Sequence, residues 1–155
     1  MNRNLIRLVL VLGSAVVVAS CASSRLHQQG LNDIEQGRYE IGLQKLHEAL
    51  SSDPGNLVYK LDLKSRQEEA VQKLIAEADR ARSVGQADVA EASYKRVLSI
   101  ESGNDRARRG LEGVEADRRH AQLVAEAQQE LKNGAFEQAE DIWRALAARG
   151  WTVRT

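Results

Sequence analysis

The chain is poor in the residues that staple small proteins or carry chemistry. A single cysteine among 155 residues leaves no partner for an intramolecular disulfide. One proline and 4% aromatics leave the core to Leu, Ala, Val and Ile. Those residues belong on helices here, because the alternating Val, Thr and aromatic runs that strands need are missing. Neither sign of charge prevails: 22 basic side chains face 22 acidic ones. Without Arg3 and Arg7 near the start, the remainder is slightly acidic. That balance excludes a polyanion-binding role and makes nucleic acid no expected partner.

Catalytic signatures are missing as well. The sequence holds no G-x-S-x-G elbow, no G-x-x-x-x-G-K phosphate loop and no H-E-x-x-H metal pair. His27, His47 and His120 lie far apart in sequence and read as solvated helix-face residues. Glu68, Glu69, Lys73, Glu77 and Arg80 sit at spacings that form weak surface pairs along a helix. The densest basic stretch, Arg106, Arg108, Arg109, Arg118, Arg119 and His120, is interrupted by Glu112, Glu115 and Asp117, so it reads as a charged helix exterior. No enzyme activity, cofactor or metal is expected.

What the chain does have is repetition. Gly37-Arg38-Tyr39-Glu40-Ile41-Gly42 returns 48 residues later as Gly85-Gln86-Ala87-Asp88-Val89-Ala90, and after 49 more as Gly134-Ala135-Phe136-Glu137-Gln138-Ala139. Nine residues past each glycine stands a large side chain, Leu46, Tyr94 and Trp143. Further on come Ala49-Leu50, Val97-Leu98 and Leu146-Ala147. These offsets share one helix face. Seven residues before the glycines, Gly30, Ala78 and Ala127 are small enough for close helix approach. The pattern predicts helical hairpins, each hinged at a glycine that takes positive φ. Tyr39, Tyr94, Phe136 and Trp143 then belong to the core between helices.

From Asn56 to Gly85 the positions Leu57, Leu61, Val71, Leu74, Ile75, Ala78 and Ala81 suit one long amphipathic helix with a polar middle at Lys64 to Glu69, and the sequence leaves open whether this stretch is one rod or two pieces. The equivalent stretch, Asp105 to Lys132, contains Gly110 and Gly113 and is expected to bend or break there, each interior glycine costing about 1 kcal/mol relative to alanine.

Gly37-x-Tyr39, Gly42, Leu46, Ala49-Leu50 and Asp53-Pro54-x-Asn56 resemble the tetratricopeptide repeat. The second copy, with Gly85, Ala90 and Tyr94, ends Glu101-Ser102-Gly103-Asn104, and the third, with Gly134, Phe136, Ala139 and Trp143, lacks the closing turn. The family period is about 34 residues, so each copy here is longer, the surplus lying in its first helix. The resemblance implies an all-α solenoid of stacked hairpins over 25–155. It also implies a wall that binds extended segments of partner proteins, which by spacing would include Gln72, Asp79, Arg82, Ser83, Gln128 and Lys132.

The two ends carry other signals. Arg3 and Arg7, the apolar run Leu8 to Val18 and the small residues before Cys21 form the layout of a signal peptide over 1–20. The run is too short for the roughly 20 residues of a membrane span. Val18-Ala19-Ser20-Cys21 resembles the bacterial lipobox, which implies cleavage between Ser20 and Cys21 and acylation of Cys21 with fatty chains such as palmitate. Residues 21–24 would then be the lipidated cysteine and a short tether, and Ala22 after it implies the outer membrane. The alternative is an uncleaved anchor or a buried thiol. At the other end, either Trp151 folds back on Trp143 as a cap, or the chain is part of something longer.

Taken with the Ala76-Glu77-Ala78-Asp79-Arg80-Ala81 helix, Tyr94-Lys95-Arg96-Val97-Leu98 and Asp117-Arg118-Arg119-His120-Ala121, the lipidated repeat resembles the region ahead of the ring-forming part of secretin-type lipoproteins. That implies the periplasmic arm of a type II secretion or type IV pilus channel, homo-oligomeric if it belongs to the ring. Two alternatives stand beside it: a free-standing pilotin or assembly lipoprotein, and an accessory to an envelope enzyme.

Overall fold

A computed structural model describes residues 22–148 of the chain. The expected signal peptide, the Ser20–Cys21 cleavage and lipidation position, and Trp151 lie outside the described residues. The described chain is all-helical and contains no strand. Helix α1 covers 22–35 and is followed by α2 (Tyr39–Ser52), α3 (Leu57–Ser83), α4 (Ala87–Ile100), α5 (Asp105–Asn133) and α6 (Phe136–Ala148). Residues 22–24, expected as part of a tether, are already helical, and Ser23 is buried.

The three hinges are one structure built three times. Gly37, Gly85 and Gly134 have φ of 76°, 78° and 79°, the left-handed region that a Cβ disfavours. At each, the glycine N–H donates to the carbonyl three residues back (Ile34, Arg82, Leu131), and the next N–H donates to the carbonyl five back (Asp33, Ala81, Glu130). This pair of bonds is the Schellman motif, which satisfies carbonyls that a helix end would otherwise expose. The asparagines that close the repeat motif start the next helix. Asn104 Oδ1 accepts from Ala107 N–H at 3.0 Å, and Asn56 Oδ1 accepts from Val58 and Tyr59 N–H at 3.1 and 3.3 Å; such caps contribute about 1 kcal/mol each.

The chain divides into two compact units. The first comprises residues up to Leu74 together with Ser99–Ser102, and the second comprises Ile75–Leu98 and the residues from Gly103. In the first unit Ile34, Leu43, Leu46 and Ala70 form the core, with Leu31, Tyr39, Leu63 and Ile100 packed on it. Gly30 and Gly42 let α1 and α2 touch backbone to backbone: a Cβ at Gly30 would stand 2.8 Å from Gly42 O, and one at Gly42 would stand 2.7 Å from Gly30 O. The second unit buries Ala78, Ala90, Tyr94, Val97, Ala107, Val114, Ala127, Ala139 and Leu146, so the small positions recur as alanines.

Four expectations are corrected. Helix α5 does not break: it runs 29 residues through both glycines. A Cβ at Gly110 would overlap the ring of buried Tyr94, and one at Gly113 would overlap the Arg82 guanidinium. These glycines therefore make room for neighbours within an unbroken helix. Leu57 and Leu61, assigned to the apolar face of α3, are exposed, and the residue buried in that turn is Tyr59. Phe136 is 68% exposed, because among the described residues no helix follows α6 to cover it as α3 covers Tyr39 in the first unit; Trp143 is half-buried. Finally, His27 is buried, not solvated. Its ring stacks on Tyr59 with centroids 4.4 Å apart, and its Nε2 stands 2.8 Å from Asp62 Oδ2.

Candidate functional site

The wall assigned from spacing divides into two kinds of residue. Gln72, Ser83, Gln128 and Lys132 are exposed, with the Ser83 hydroxyl donating to Arg80 O at 2.7 Å. Asp79 and Arg82 are engaged inside the second unit. Asp79 accepts from the Tyr94 hydroxyl at 2.5 Å and from Arg106 Nη2 at 2.6 Å, while Arg82 Nε donates to Asp117 at 2.6 Å.

These contacts set the local electrostatics. Burial works against ionisation of Asp79, but the Tyr94 hydroxyl and the Arg106 guanidinium outweigh it and hold the carboxyl below its usual range. The same geometry acts on the phenol in reverse: burial, then the bond to Asp79 and its charge, push Tyr94 up to about 12. Arg118 donates to Asp88 and Glu91, each at 2.5 Å. Glu91 is held low by hydrogen bonds from Lys95 and then Arg118. In the first unit buried Asp33 accepts from Lys45 Nζ at 2.6 Å and from Arg38, and these two cations, Lys45 foremost, depress its pKa.

The basic stretch of α5 is thus largely paired: Arg106 with Asp79, Arg108 with Asp105, Arg118 with Asp88 and Glu91, and Arg119 with Glu115. Along α3, Lys73 and Arg66 share Glu69 at 2.7 Å each; the helical spacing predicted the pair with Lys73, not the one with Arg66.

Two surface grooves add residues that spacing alone did not single out. One in the first unit, about 350 Å³, has an apolar floor of Leu43, Leu63 and Ile100 edged by Gln44, Gln67 and His47. Another in the second unit, about 460 Å³, places Val84 and Val89 beside Glu77, Arg80 and Gln86. An apolar floor with amide and charged rims can hold an extended peptide, whose side chains take the floor and whose backbone takes the rim. The repeat offered a signal for the second groove, since exposed Val89 repeats the register of exposed Ile41. Nothing in the periodicity marks the first, which draws on α2, α3 and the end of α4.

Among the described residues no group of three His, Cys, Asp or Glu side chains could hold a metal ion. No protein-family model, curated protein or solved structure matches the chain.

Proposed function

We propose that this chain is a lipid-anchored scaffold of tetratricopeptide-like hairpins that holds another protein of an envelope assembly at the periplasmic face of the outer membrane. On this reading it is an arm of a secretin-type channel of a type II secretion or type IV pilus system. The single observation that supports the scaffold is the threefold recurrence of one hinge with the same two hydrogen bonds; the anchor and the channel rest on the sequence resemblances alone. Serial hairpins expose side chains along several helices at once, and such surfaces suit extended partners. Its mechanism is tethering: acyl chains on Cys21 confine the scaffold to a surface, which raises the effective concentration of a bound partner there.

The test uses the full chain expressed with its own first 21 residues. Intact mass of the protein from detergent-solubilised envelopes should correspond to a chain beginning at an acylated Cys21. A partner should co-purify in fixed ratio, and changing Gln72, Gln128 and Lys132 together to alanine should lower its recovery at least several-fold. An unprocessed soluble chain with an unmodified Cys21 thiol contradicts the anchor. Recovery of no partner in fixed ratio contradicts the scaffold.

A further inference from the structure

The first two turns of α3 present an apolar face to solvent. Leu57, Val58 and Leu61 are 73%, 59% and 67% exposed and, at i, i+1 and i+4, occupy one side of the helix. Two lysines border that side. Lys60 is exposed, and Lys64, two turns beyond Leu57 on the same stripe, has a side chain 78% exposed and a long 4.0 Å pair with Glu68. Hydrocarbon rimmed by long flexible cations is the pattern of a helix that rests in a headgroup layer, where apolar groups sink roughly 5 to 10 Å and ammonium groups reach back to anionic lipid.

The placement of the face within the first unit identifies its occupant. α1 and α3 run the same way: His27 faces Tyr59 and Asp62, and farther along Ile34 shares a core cluster with Ala70. The start of α1 therefore lies level with the start of α3. From His27 back to Ala22 is five residues, about 7.5 Å of helix rise. The sequence ahead of Ala22 holds Cys21 and the apolar run Leu8 to Val18. Attachment at Cys21, the residue next to Ala22, would bring Leu57, Val58 and Leu61 close to the lipid surface.

We propose that the Leu57–Val58–Leu61 face, with Lys60 and Lys64, is a second membrane contact that lies against anionic phospholipid and fixes how the first hairpin stands on the bilayer. The inference rests on the membrane attachment of the chain's start, and its test reads a different residue. Leu61→Cys and, as a reference on the same helix, Gln72→Cys are labelled with bimane in the full chain. Both are reconstituted in phosphatidylethanolamine–phosphatidylglycerol vesicles whose acyl chains carry bromine. Both positions are exposed, so neither change disturbs the core.

The expected result is quenching by bromine at position 61 that is roughly threefold stronger, or more, than at position 72. Equal, ready quenching of both positions by aqueous iodide overturns the proposal. So does shielding of position 61 from iodide without bromine quenching, which puts a second copy of the chain on the face. Label uptake by the unsubstituted chain reports an unmodified Cys21. It removes the lipidation reading alone, and position 61, then measured with Cys21→Ser, still decides the lipid contact.

Discussion

Leu31, Ile34, Leu43, Leu46 and Ala70 of the first unit stand 48 residues before Asp79, Arg82, Glu91, Tyr94 and Arg118 of the second. In the first unit these positions form the hydrocarbon core and its immediate packing. In the second they form a polar network, with Tyr94 and Arg106 on Asp79, Asp117 on Arg82, and Arg118 on Glu91. The exchange also runs the other way: His27 and Asp62, paired in the first unit, become Ile75 and Gly110. One backbone register therefore tolerates two chemistries, provided that volume and hydrogen bonding are conserved locally. Where Leu46 grows into Tyr94, the facing position shrinks to Gly110, and the new hydroxyl finds Asp79.

The largest effects should come from the side chains that fill this position. Tyr94→Ala should cost about 3–5 kcal/mol and Leu46→Ala about 2–5 kcal/mol, measured by urea unfolding. A loss for Tyr94→Ala no larger than that for Tyr94→Phe would show that the hydroxyl bond to Asp79, not ring volume, holds the second unit.

Next come the two glycines of α5, which have the same helix context and opposite neighbours. Alanine gains about 1 kcal/mol of helix propensity at either. At Gly110 its Cβ meets a buried ring held at its hydroxyl end, and overpacking of about 1–3 kcal/mol should make Gly110→Ala destabilising. At Gly113 it meets only the movable end of Arg82, so Gly113→Ala should be neutral or stabilising by up to about 1 kcal/mol.

The pH profile should differ between the units. Tyr94 is raised from 10.0 to about 12, so the folded state holds the phenolic proton more tightly than the unfolded chain. Its contribution is complete below pH 10 and is lost as pH rises toward 12. Circular dichroism should show an alkaline loss in that window that Tyr94→Leu removes. The depressed carboxyls of Asp79 and Glu91 act at the other limb. Their contribution is present above about pH 4 and is lost as pH falls through their folded values. The smallest effect should be at Arg118, whose partners Asp88 and Glu91 are 96% and 26% exposed. Arg118→Ala should lower stability less than any change above in unfolding experiments, and less still at high salt.

The hinges were legible in the sequence because positive φ falls almost solely to glycine, and a threefold recurrence leaves little else for Gly37, Gly85 and Gly134 to do. The single span of α3 was only half legible: nothing between Asn56 and Gly85 interrupts the helical pattern, but the polar middle at Lys64 to Glu69 left one helix or two open, and the chain forms one. The course of α5 was not. Local propensity counts Gly110 and Gly113 against the helix, whereas Tyr94 and Arg82, which occupy the space where Cβ atoms would stand, are 16 and 31 residues away in sequence. His27 escaped for the same reason: its partner Asp62 is 35 residues distant. The exposure of Leu57 and Leu61 shows the limit of periodicity itself, which identifies a face but not whether anything lies against it. For the candidate wall, spacing placed Gln72, Gln128 and Lys132 on the surface but could not see that Asp79 and Arg82 have internal partners.

The exchange of volume between Tyr94 and Gly110 is the most direct test of one hairpin design carrying two chemistries. A double-mutant cycle on Tyr94→Leu and Gly110→Ala, read by urea unfolding, measures it. The alanine should lose its penalty once leucine replaces the ring, with a coupling of about 1–3 kcal/mol. Additive effects, with the Gly110→Ala penalty unchanged in the Tyr94→Leu background, would contradict it.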